Sequence, residues 1–382
     1  MRANAKKGIL ILVGGLFLLG IFSVAATAAE LPKMMTWTAY DVGSSSYMQA
    51  GFISESLWEK HKIKVRIIPA GTDLPRVFPI RMKDAQFAFH GGGSYYMQEG
   101  LFDYATLEWG PQPIRALYYA LHPGLALGLR GDSPVKTAAD LKGKKVAYYP
   151  TYALTGVCES HLVYAGLTWN DVQRVNVPSL TAAIRMVMEG KIETAQINTT
   201  ASMAYEMEAM PYGIRYVPLP PENKEGWARI KKLVPIYAHM KATIGAGVSK
   251  EKPVDTLTQA YPIVIAYDFL SADMAYTMTK LLHETFPQYS KKHQSLAAYW
   301  TPDTCFKFMD EYPLPMHDGA IRYYKEIGQW TAEREKKNQE SLKHQAALKD
   351  LWEKVKREAT DGKVKPNDFP EFWTKKRKEA GF

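Results

Sequence analysis

Three consecutive serines, Ser44, Ser45 and Ser46, separate an alternating segment from an apolar segment with helical spacing. One hydroxyl is enough to cap the helix that this pattern predicts, so three exceed that need. Free N–H groups at a helix start, together with the positive end of the helix dipole, attract anions. We therefore predict that this turn, with Tyr47 after it, contacts the anionic group of a small ligand.

A second polar turn has the sequence His90-Gly91-Gly92-Gly93-Ser94, which resembles the oxyanion loop of lipases and esterases. That chemistry needs a nucleophile in a Gly-x-Ser-x-Gly turn, and the sequence contains no such turn. The glycines therefore indicate either a close approach of the backbone to a ligand or an ordinary flexible turn. We take His90, Gly91 and Ser94 as candidate ligand contacts.

Three further polar residues are candidate contacts. Arg76 is the favoured cation for a carboxylate, because a guanidinium binds a carboxylate through two parallel hydrogen bonds. A solvated surface arginine is the alternative. Asn198 and Thr199 end a predicted strand, where ordinary turn residues look the same.

The sequence has no motif for phosphate or metal chemistry. It contains no Gly-x-x-x-x-Gly-Lys-Ser/Thr, and its 9 histidines form no His-Glu-x-x-His. The 2 cysteines, Cys158 and Cys305, are far apart and are predicted to be free, buried thiols. We expect no metal, no cofactor and no catalytic residue, and hence a protein that is not an enzyme.

Residues 1–28 are typical of a secretory signal peptide, because Arg2, Lys6 and Lys7 precede an uncharged apolar run that ends in small residues. A retained membrane anchor is the alternative, since the run is about long enough to cross a bilayer. We predict cleavage near Ala28 and a periplasmic protein. The net charge of +9 is concentrated in this leader and in the C-terminal tail. A nucleic-acid partner is therefore not expected.

The elements that must position these residues alternate along the chain. Strand, polar turn and helix follow one another three times, and the same order then starts afresh, which is typical of parallel sheets with helical crossovers. The predicted strands cover 35–40, 64–68, 86–89, 115–119, 125–129, 145–149, 174–177, 192–197 and 261–267. The predicted helices include one from 47, 74–82, one from 95, 156–165, 180–188 and 272–285.

This order predicts a two-lobed α/β protein with a ligand cleft between the lobes. Lobe 1 is predicted to comprise residues 30–122 with 264–330, and lobe 2 residues 123–263. Within lobe 2 the segment 218–252 is rich in proline, glycine and charge and is predicted to be mostly loop. Residues 331–382 are predicted to form a charged helical C-terminal extension.

Four motifs, in this order, resemble those of one known family. They are Gly-Ser-Ser-Ser-Tyr-Met at 43–48, the strand at 82–90, the Asp-Leu-Lys-Gly-Lys region at 129–146 and the His-Asp-Gly-Ala-Ile-Arg-Tyr-Tyr pattern at 317–326. The family is the TAXI-type substrate-binding proteins of tripartite ATP-independent periplasmic (TRAP) transporters. The resemblance implies a two-lobed periplasmic-binding fold of type II kind and a small organic carboxylate as ligand. It also implies delivery of that ligand to ion-gradient-driven membrane permease subunits.

Two alternative functions stay open at this point. One is a periplasmic sensor that binds the same solute and signals to a membrane kinase. The other is a periplasmic hydrolase, against which the missing nucleophile turn argues.

One turn departs from the family pattern. Members often have Gly-Ser-Gly-Thr where this chain has Tyr152-Ala153-Leu154-Thr155, preceded by Tyr149. A phenol offers a flat apolar face and one hydroxyl. We predict that Tyr149, Tyr152 and Thr155 contact the ligand. Its apolar or aromatic body is predicted to lie toward the two tyrosines, with Leu154 adding apolar surface, and its carboxylate near Ser44–Ser46. The alternative is that these tyrosines only pack the lobe.

Overall fold

The structure is a computed structural model that describes residues 31–382, so the predicted signal peptide lies outside the described residues. The strands in chain order are β1 (Met34–Tyr40), β2 (Lys64–Ala70), β3 (Phe87–His90), β4 (Ile114–Leu121), β5 (Leu125–Arg130), β6 (Lys145–Tyr148), β7 (Gln173–Asn176), β8 (Ala195–Asn198), β9 (Ile214–Tyr216), β10 (Ala238–Ala242), β11 (Val254–Thr258) and β12 (Ala260–Tyr267). The helices are α1 (Ser45–His61), α2 (Asp73–Arg81), α3 (Gly93–Glu99), α4 (Tyr152–Tyr164), α5 (Leu180–Met188), α6 (Ser202–Glu208), α7 (Lys224–Leu233), α8 (Ala272–Glu284), α9 (Phe286–Tyr289), α10 (Gln294–Tyr299), α11 (Pro302–Glu311), α12 (Asp318–Glu326), α13 (Ala332–Asp361) and α14 (Phe369–Glu379).

The first sheet has the strand order β2-β1-β3-β12-β4. β1 runs parallel to β2 and β3, whereas β12 runs antiparallel to both β3 and β4. All eight residues of β12 are buried. A strand that is buried on both faces has a nearly continuous apolar sequence, which is the pattern of Ala260–Tyr267.

The second sheet repeats this plan. β6 pairs in parallel with β7, a parallel bridge joins Val146 to Thr194 just before β8, and β8 pairs antiparallel with β5. The order β7-β6-β8-β5 therefore corresponds to β2-β1-β3-β12 in the first sheet. β11, β10 and β9 complete the second sheet on the far side of β5. The predicted two-lobed α/β fold with a helical C-terminal part is confirmed.

The chain passes between the two sheets at two points. The first is residues 122–124, between β4 and β5, and the second is Gln259, between β11 and β12. β12 lies wholly in the first sheet, and β5 lies wholly in the second. The assignment of residue ranges to moving lobes stays a prediction.

The start of the crossover helix α5 is set by its capping residue, and its buried face is set by the spacing of its apolar residues. At the start of α5 the Ser179 hydroxyl accepts a hydrogen bond from the N–H of Ala182 at 3.2 Å, which satisfies one of the free donors of the first turn. Ala183, Ile184 and Val187 are buried on one face, as spacings of three and four residues require. α5 packs this face against β5 and β8.

Two predicted bounds need correction, and some elements were not predicted. The segment 218–252 is mostly loop, as predicted, but it also contains α7 and β10, and β10 pairs with β11, a strand that the sequence pattern did not reveal. The predicted strand 192–197 begins only at Ala195. The predicted helix 156–165 begins four residues earlier, at Tyr152, so the turn before it is shorter than expected. Short elements with proline and charge around them give weak periodic signals, which is why their bounds were missed.

The C-terminal extension is two helices, α13 and α14, whose Leu348, Trp352, Phe369 and Trp373 form a small core together with Ala105 of the main body. Cys158 and Cys305 are both free and buried, as predicted. No helix among residues 31–382 is long and apolar enough to cross a membrane.

Candidate functional site

The carboxyl ends of the parallel strands of the two sheets lie opposite each other. Asp41, after β1, accepts a hydrogen bond from the Thr181 hydroxyl, which follows β7, at 2.6 Å. Ser45, at the start of α1, accepts one from the Asn198 amide, at the end of β8, at 2.8 Å. Open α/β sheets bind ligands at these strand ends. The geometry therefore brings together the turns that a ligand between two lobes would touch.

A small cavity of about 20 Å³ lies where the turns meet. Gly91 and Asn198 are the predicted ligand contacts that line it. From the first lobe and the connecting strands, the cavity is lined by Tyr40, Gly91, Gly92, His122, Gln259 and Tyr261. From the second lobe it is lined by Leu125, Ala153, Leu154, Leu180, Gln196 and Asn198. Such a volume holds about one water molecule, so the cleft is closed onto itself in this structure.

A buried ion pair lies beside this cavity. Nη2 of Arg76 is 2.5 Å from Oδ1 of Asp73, and the Tyr40 hydroxyl donates to the same oxygen at 3.0 Å. The guanidinium of Arg76 also lies 3.6 Å from the centre of the Tyr40 ring. Arg76 and Asp73 are fully buried. Arg76 is therefore a fixed internal cation and not a solvated surface arginine.

His90 joins this pair from the end of β3. Its Nδ1 is 2.9 Å from the Ser94 hydroxyl, and its Nε2 is 3.8 Å from Oδ1 of Asp73. Burial and the nearby charge of Arg76 hold the pKa of His90 well below its ordinary value. The imidazole is therefore neutral near pH 7, so the cationic group of this cluster is the guanidinium.

Burial also acts on the two charged partners. It raises the pKa of Asp73, and the attraction of Arg76 offsets this shift in part. Burial disfavours the charge of Arg76, but Tyr40 and Asp73 outweigh it and raise the pKa of the guanidinium. The cluster thus keeps one permanent positive charge, which Asp73 only partly surrounds.

Several polar atoms of this cluster lack hydrogen-bond partners within the described part of the chain. They are Nε and Nη1 of Arg76, Oδ2 of Asp73, Nε2 of His90 and Oγ of Ser46. A buried polar atom without a partner costs about 1–3 kcal/mol. A ligand or an ordered water that bonds these atoms would remove that cost, so the cluster has the composition of a binding site.

The connecting strands add a second polar group. Among residues 31–382, Nε2 of His122, Oε1 of Gln196 and Oε1 of Gln259 are also without partners. Burial lowers the pKa of His122 to about 3, and its Nδ1 accepts from the N–H of Gly124 at 3.1 Å. His122 is therefore neutral and presents Nε2 as a donor.

The side chains around the turn at residues 91–93 explain why all three residues are glycine. A Cβ at Gly91 would lie 2.5 Å from the Tyr261 ring, and one at Gly92 would lie 2.4 Å from Oε1 of Gln259. A Cβ at Gly93 would lie 1.8 Å from the Asp73 carboxylate. The three glycines let the backbone approach protein side chains that surround the cavity.

Two other predicted contacts, Ser44 and Thr155, have their hydroxyls bonded inside the protein. Ser44 caps α1 by accepting from the N–H of Tyr47 at 3.2 Å, and the Tyr47 side chain packs against the core. The Thr155 hydroxyl accepts from the Tyr149 N–H at 3.0 Å and donates to the Tyr149 carbonyl at 3.1 Å.

The same holds for two hydroxyl groups of the second lobe. The phenol of Tyr149 accepts from the backbone N–H of Gln196 at 3.1 Å. The Thr199 hydroxyl lies 3.0 Å from the Ile244 carbonyl and 3.3 Å from the Pro123 carbonyl, and its single proton is shared between these two acceptors. These groups hold the strand ends in place, and the structure does not bring them to the cavity wall.

Tyr152 joins the two lobes. Its ring stacks on Phe102 with centroids 3.5 Å apart and meets the edge of Tyr96 at 5.5 Å. Next to this stack, the Asp103 carboxylate accepts from the Thr151 hydroxyl at 2.6 Å and from the Tyr152 N–H at 3.2 Å. A carboxylate of the first lobe therefore caps α4 of the second lobe, which explains the early start of that helix.

Sequence reasoning missed Asp73, Tyr40, His122, Gln259 and Tyr261. Asp73 had a usable signal, because it stands three residues before Arg76 in a predicted helix. The others come from strand ends that are distant in sequence, where nothing local distinguishes them from core residues.

The chain has the two-lobed α/β fold of the periplasmic-binding proteins, with two similar sheets and a helical C-terminal part. Residues 43–328 match the NMT1-like family, and the chain belongs to this family. No curated protein sequence matches the chain.

Solved structures of similar fold include three from named bacteria. The periplasmic aliphatic sulphonate binding protein SsuA from Escherichia coli is 15% identical, with 81% of this chain and 86% of that chain covered and a TM-score of 0.40. The alkanesulfonate-binding protein SsuA from Xanthomonas axonopodis pv. citri is 12% identical, with 85% and 93% covered and a TM-score of 0.42. A binding protein component of an ABC phosphonate transporter from Pseudomonas aeruginosa is 10% identical, with 86% and 100% covered and a TM-score of 0.42.

Proposed function

We propose that this protein is an exported solute-binding receptor that captures a small organic carboxylate between its lobes and delivers it to membrane permease subunits. The observation that carries the proposal is the meeting of two sets of strand ends around buried polar atoms that lack partners within residues 31–382. The four motifs that resemble TAXI-type proteins support a TRAP-type permease as the partner. The basic and apolar leader supports export to the periplasm.

The cluster beside the cavity supports a carboxylate as the ligand. Arg76 has two free guanidinium nitrogens, and the Ser46 hydroxyl has no partner among the described residues. Both are donors, and a carboxylate is an acceptor-only group when it is ionised. An ionised carboxylate would complete the coordination of the guanidinium that Asp73 begins.

The wall opposite this cluster supports an apolar ligand body. Ala153 and Leu154 line the cavity at the positions where the TAXI-type proteins that the chain resembles often have serine and glycine, respectively. In contrast to the sequence-based proposal, we place the body against these two side chains, because Tyr149 has its hydroxyl bonded inside the lobe. A ligand of more than a few atoms must widen the present cavity, so the lobes must open to admit it.

Delivery requires that the permease distinguish loaded from empty receptor. Ser45–Asn198, Asp41–Thr181 and the Phe102–Tyr152 stack all join the two lobes. A ligand that pairs the unsatisfied polar atoms stabilises this closed form relative to an open one. The closed form is then the one that the permease recognises.

A thermal-shift screen of small carboxylates, aliphatic and aromatic, tests the binding function. The melting temperature should rise with ligand concentration, because a ligand that binds only the folded protein stabilises it. Arg76→Lys should abolish the shift, since an ammonium lacks the two parallel donors of a guanidinium. Arg115→Lys is the matched control, because Arg115 binds Gln345 of α13 and is not part of the Asp73–Arg76 cluster beside the cavity. Equal shifts for Arg76→Lys and wild type would disprove the carboxylate site.

Uptake tests the delivery function. Vesicles that contain the permease subunits should accumulate the labelled carboxylate only when the receptor and an inward ion gradient are both present. Uptake without the receptor, or uptake that requires ATP instead of the gradient, would contradict the TRAP assignment.

A further inference from the structure

A second and larger cavity lies outside the site described above. It is a groove of about 990 Å³ between the segment 231–240 of the second lobe and the helices α3, α11 and α13 of the first-lobe side. Ligand sites for small molecules have volumes of about 300–1,000 Å³. The groove is thus large enough for an organic ligand, whereas the inner cavity is not in its present form.

The C-terminal extension forms one wall of this groove. Ser341 and His344 of α13 line it, as does Phe382 at the chain end. These residues lie beyond 43–328, the part that matches the NMT1-like family. The groove is therefore a feature that the extension adds to the family fold.

That wall is held firmly. The indole N–H of Trp373 donates to the Gly100 carbonyl at 2.7 Å. The buried Glu99 carboxylate lies 2.8 Å from Nε2 of His344 and accepts a hydrogen bond from Arg377. Because a buried charge needs its partners, these contacts fix the extension on α3.

The groove has an apolar lining and two ammonium groups that form no ion pair among residues 31–382, although the carboxylates of Glu311 and Glu340 also line it. Tyr95, Ile236, Met240, Phe308, Tyr312 and Phe382 supply the apolar surface. Nζ of Lys231 donates to the Pro235 carbonyl at 3.1 Å, and Nζ of Lys337 donates to the Asp310 carbonyl. Neither ammonium forms an ion pair within the part of the chain that the structure describes.

One polar group in the lining is also incomplete. Tyr312 is more than nine-tenths buried, and its hydroxyl has no hydrogen-bond partner among residues 31–382. Burial lowers the pKa of Lys337, and the nearby carboxylates of Asp310 and Glu311 offset this shift only in part. An anion beside it would reverse that shift.

We propose that this groove is a second binding site, for an amphipathic carboxylate with an aliphatic or aromatic body. The apolar lining takes the body, and Lys231 and Lys337 take the carboxylate. The walls belong to both lobes, so an occupant of the groove also favours the closed form. The groove adjoins the inner cavity, since Gln259 lines both, but its apolar surface and its two ammonium groups do not line that cavity.

Decanoate, with decanamide as the uncharged analogue, tests the site by isothermal titration calorimetry on the full mature chain. Ser341→Trp fills the groove and should weaken decanoate binding at least about tenfold, the loss expected when apolar area equal to a few methylenes is no longer buried. Ala347→Trp is the matched control, because Ala347 is exposed on the same helix and does not line the groove. It should bind decanoate like wild type.

The second part of the test removes the charge of the ligand or of the two lysines. Decanoate should bind wild type more tightly than decanamide does, and the double variant Lys231→Met/Lys337→Met should bind the two alike. This part does not depend on the folding of a tryptophan variant. Equal decanoate affinity in Ser341→Trp and Ala347→Trp, including the case in which decanoate occupies the inner cavity, would overturn the proposal. So would an unchanged preference for decanoate in the double variant.

Discussion

The contact between Tyr152 and Phe102 makes the sharpest prediction about closure. The Tyr152 ring belongs to α4 of the second lobe, and Phe102 and Tyr96 belong to the first-lobe side. Tyr152→Ala removes both aromatic pairs but leaves the backbone N–H that Asp103 binds. The substitution should therefore weaken closure of the cleft and leave the second lobe folded.

The magnitude follows from the two pairs. An aromatic pair contributes about 0.5–1.5 kcal/mol beyond the area that it buries. Two pairs that form only in the closed form thus stabilise it by about 1–3 kcal/mol. Since 1.4 kcal/mol is a factor of ten, Tyr152→Ala should weaken binding of the best carboxylate from the thermal-shift screen by about 5- to 150-fold.

Tyr148→Ala is the matched control. Tyr148 meets Trp169 edge to face, with centroids 5.1 Å apart, entirely within the second lobe. It should lower the melting temperature of the unliganded protein and leave affinity unchanged. Calorimetry gives the affinity, and small-angle X-ray scattering should give a larger radius of gyration for Tyr152→Ala alone. Unchanged affinity and scattering in Tyr152→Ala, with a lowered melting temperature, would assign Tyr152 to packing and refute this reasoning.

Three further predictions concern a pH effect, the ion pair and the extension. Burial raises the pKa of Asp103 from 3.8 to about 6 in the closed form, so closure gains stability as pH falls through that value. The affinity for the carboxylate ligand should rise about tenfold from pH 7 to pH 5. The affinity of the Asp103→Asn variant should stay the same over this range. Arg76→Met leaves the buried Asp73 charge unpaired and should lower the free energy of unfolding, measured in urea, by about 3–5 kcal/mol. Adding Asp73→Asn to the same chain should restore part of this loss. Trp373→Ala should lower the free energy of local unfolding of α14 by about 3–5 kcal/mol and so expose α14 to proteolysis. An unchanged cleavage pattern would count against docking of the extension.

The sequence predicted the repeated alternation of strand and helix well, because the spacing of apolar residues within each short segment differs between strands and helices. β1, α1, β2 and α2 lie within about two residues of their predicted bounds. The segment with α7 and β10 was missed, because β10 becomes a strand only by pairing with β11, and pairing is a property of two segments.

The site was predictable only in part. The cap of Ser44 and the need for glycine at residues 91–93 follow from local backbone geometry, although the reason for each glycine is a side chain from elsewhere. Asp73 stands next to Arg76 in sequence, but His90 and Tyr40 reach the pair from other strands. A sequence pattern cannot give the distance between two strand ends.

The sequence by itself determined the two-lobed plan, since strand and helix periodicity and the restart of the strand–turn–helix order depend on residues a few positions apart. Only the tertiary structure decided which turns meet. Tyr152 became an inter-lobe contact because Phe102 lies opposite it, and Tyr149 became a core residue because Gln196 satisfies its hydroxyl. The groove likewise exists only because the C-terminal helices fold back onto α3. Burial and hydrogen-bond satisfaction depend on neighbours distant in sequence, so they are fixed when the chain packs and not before.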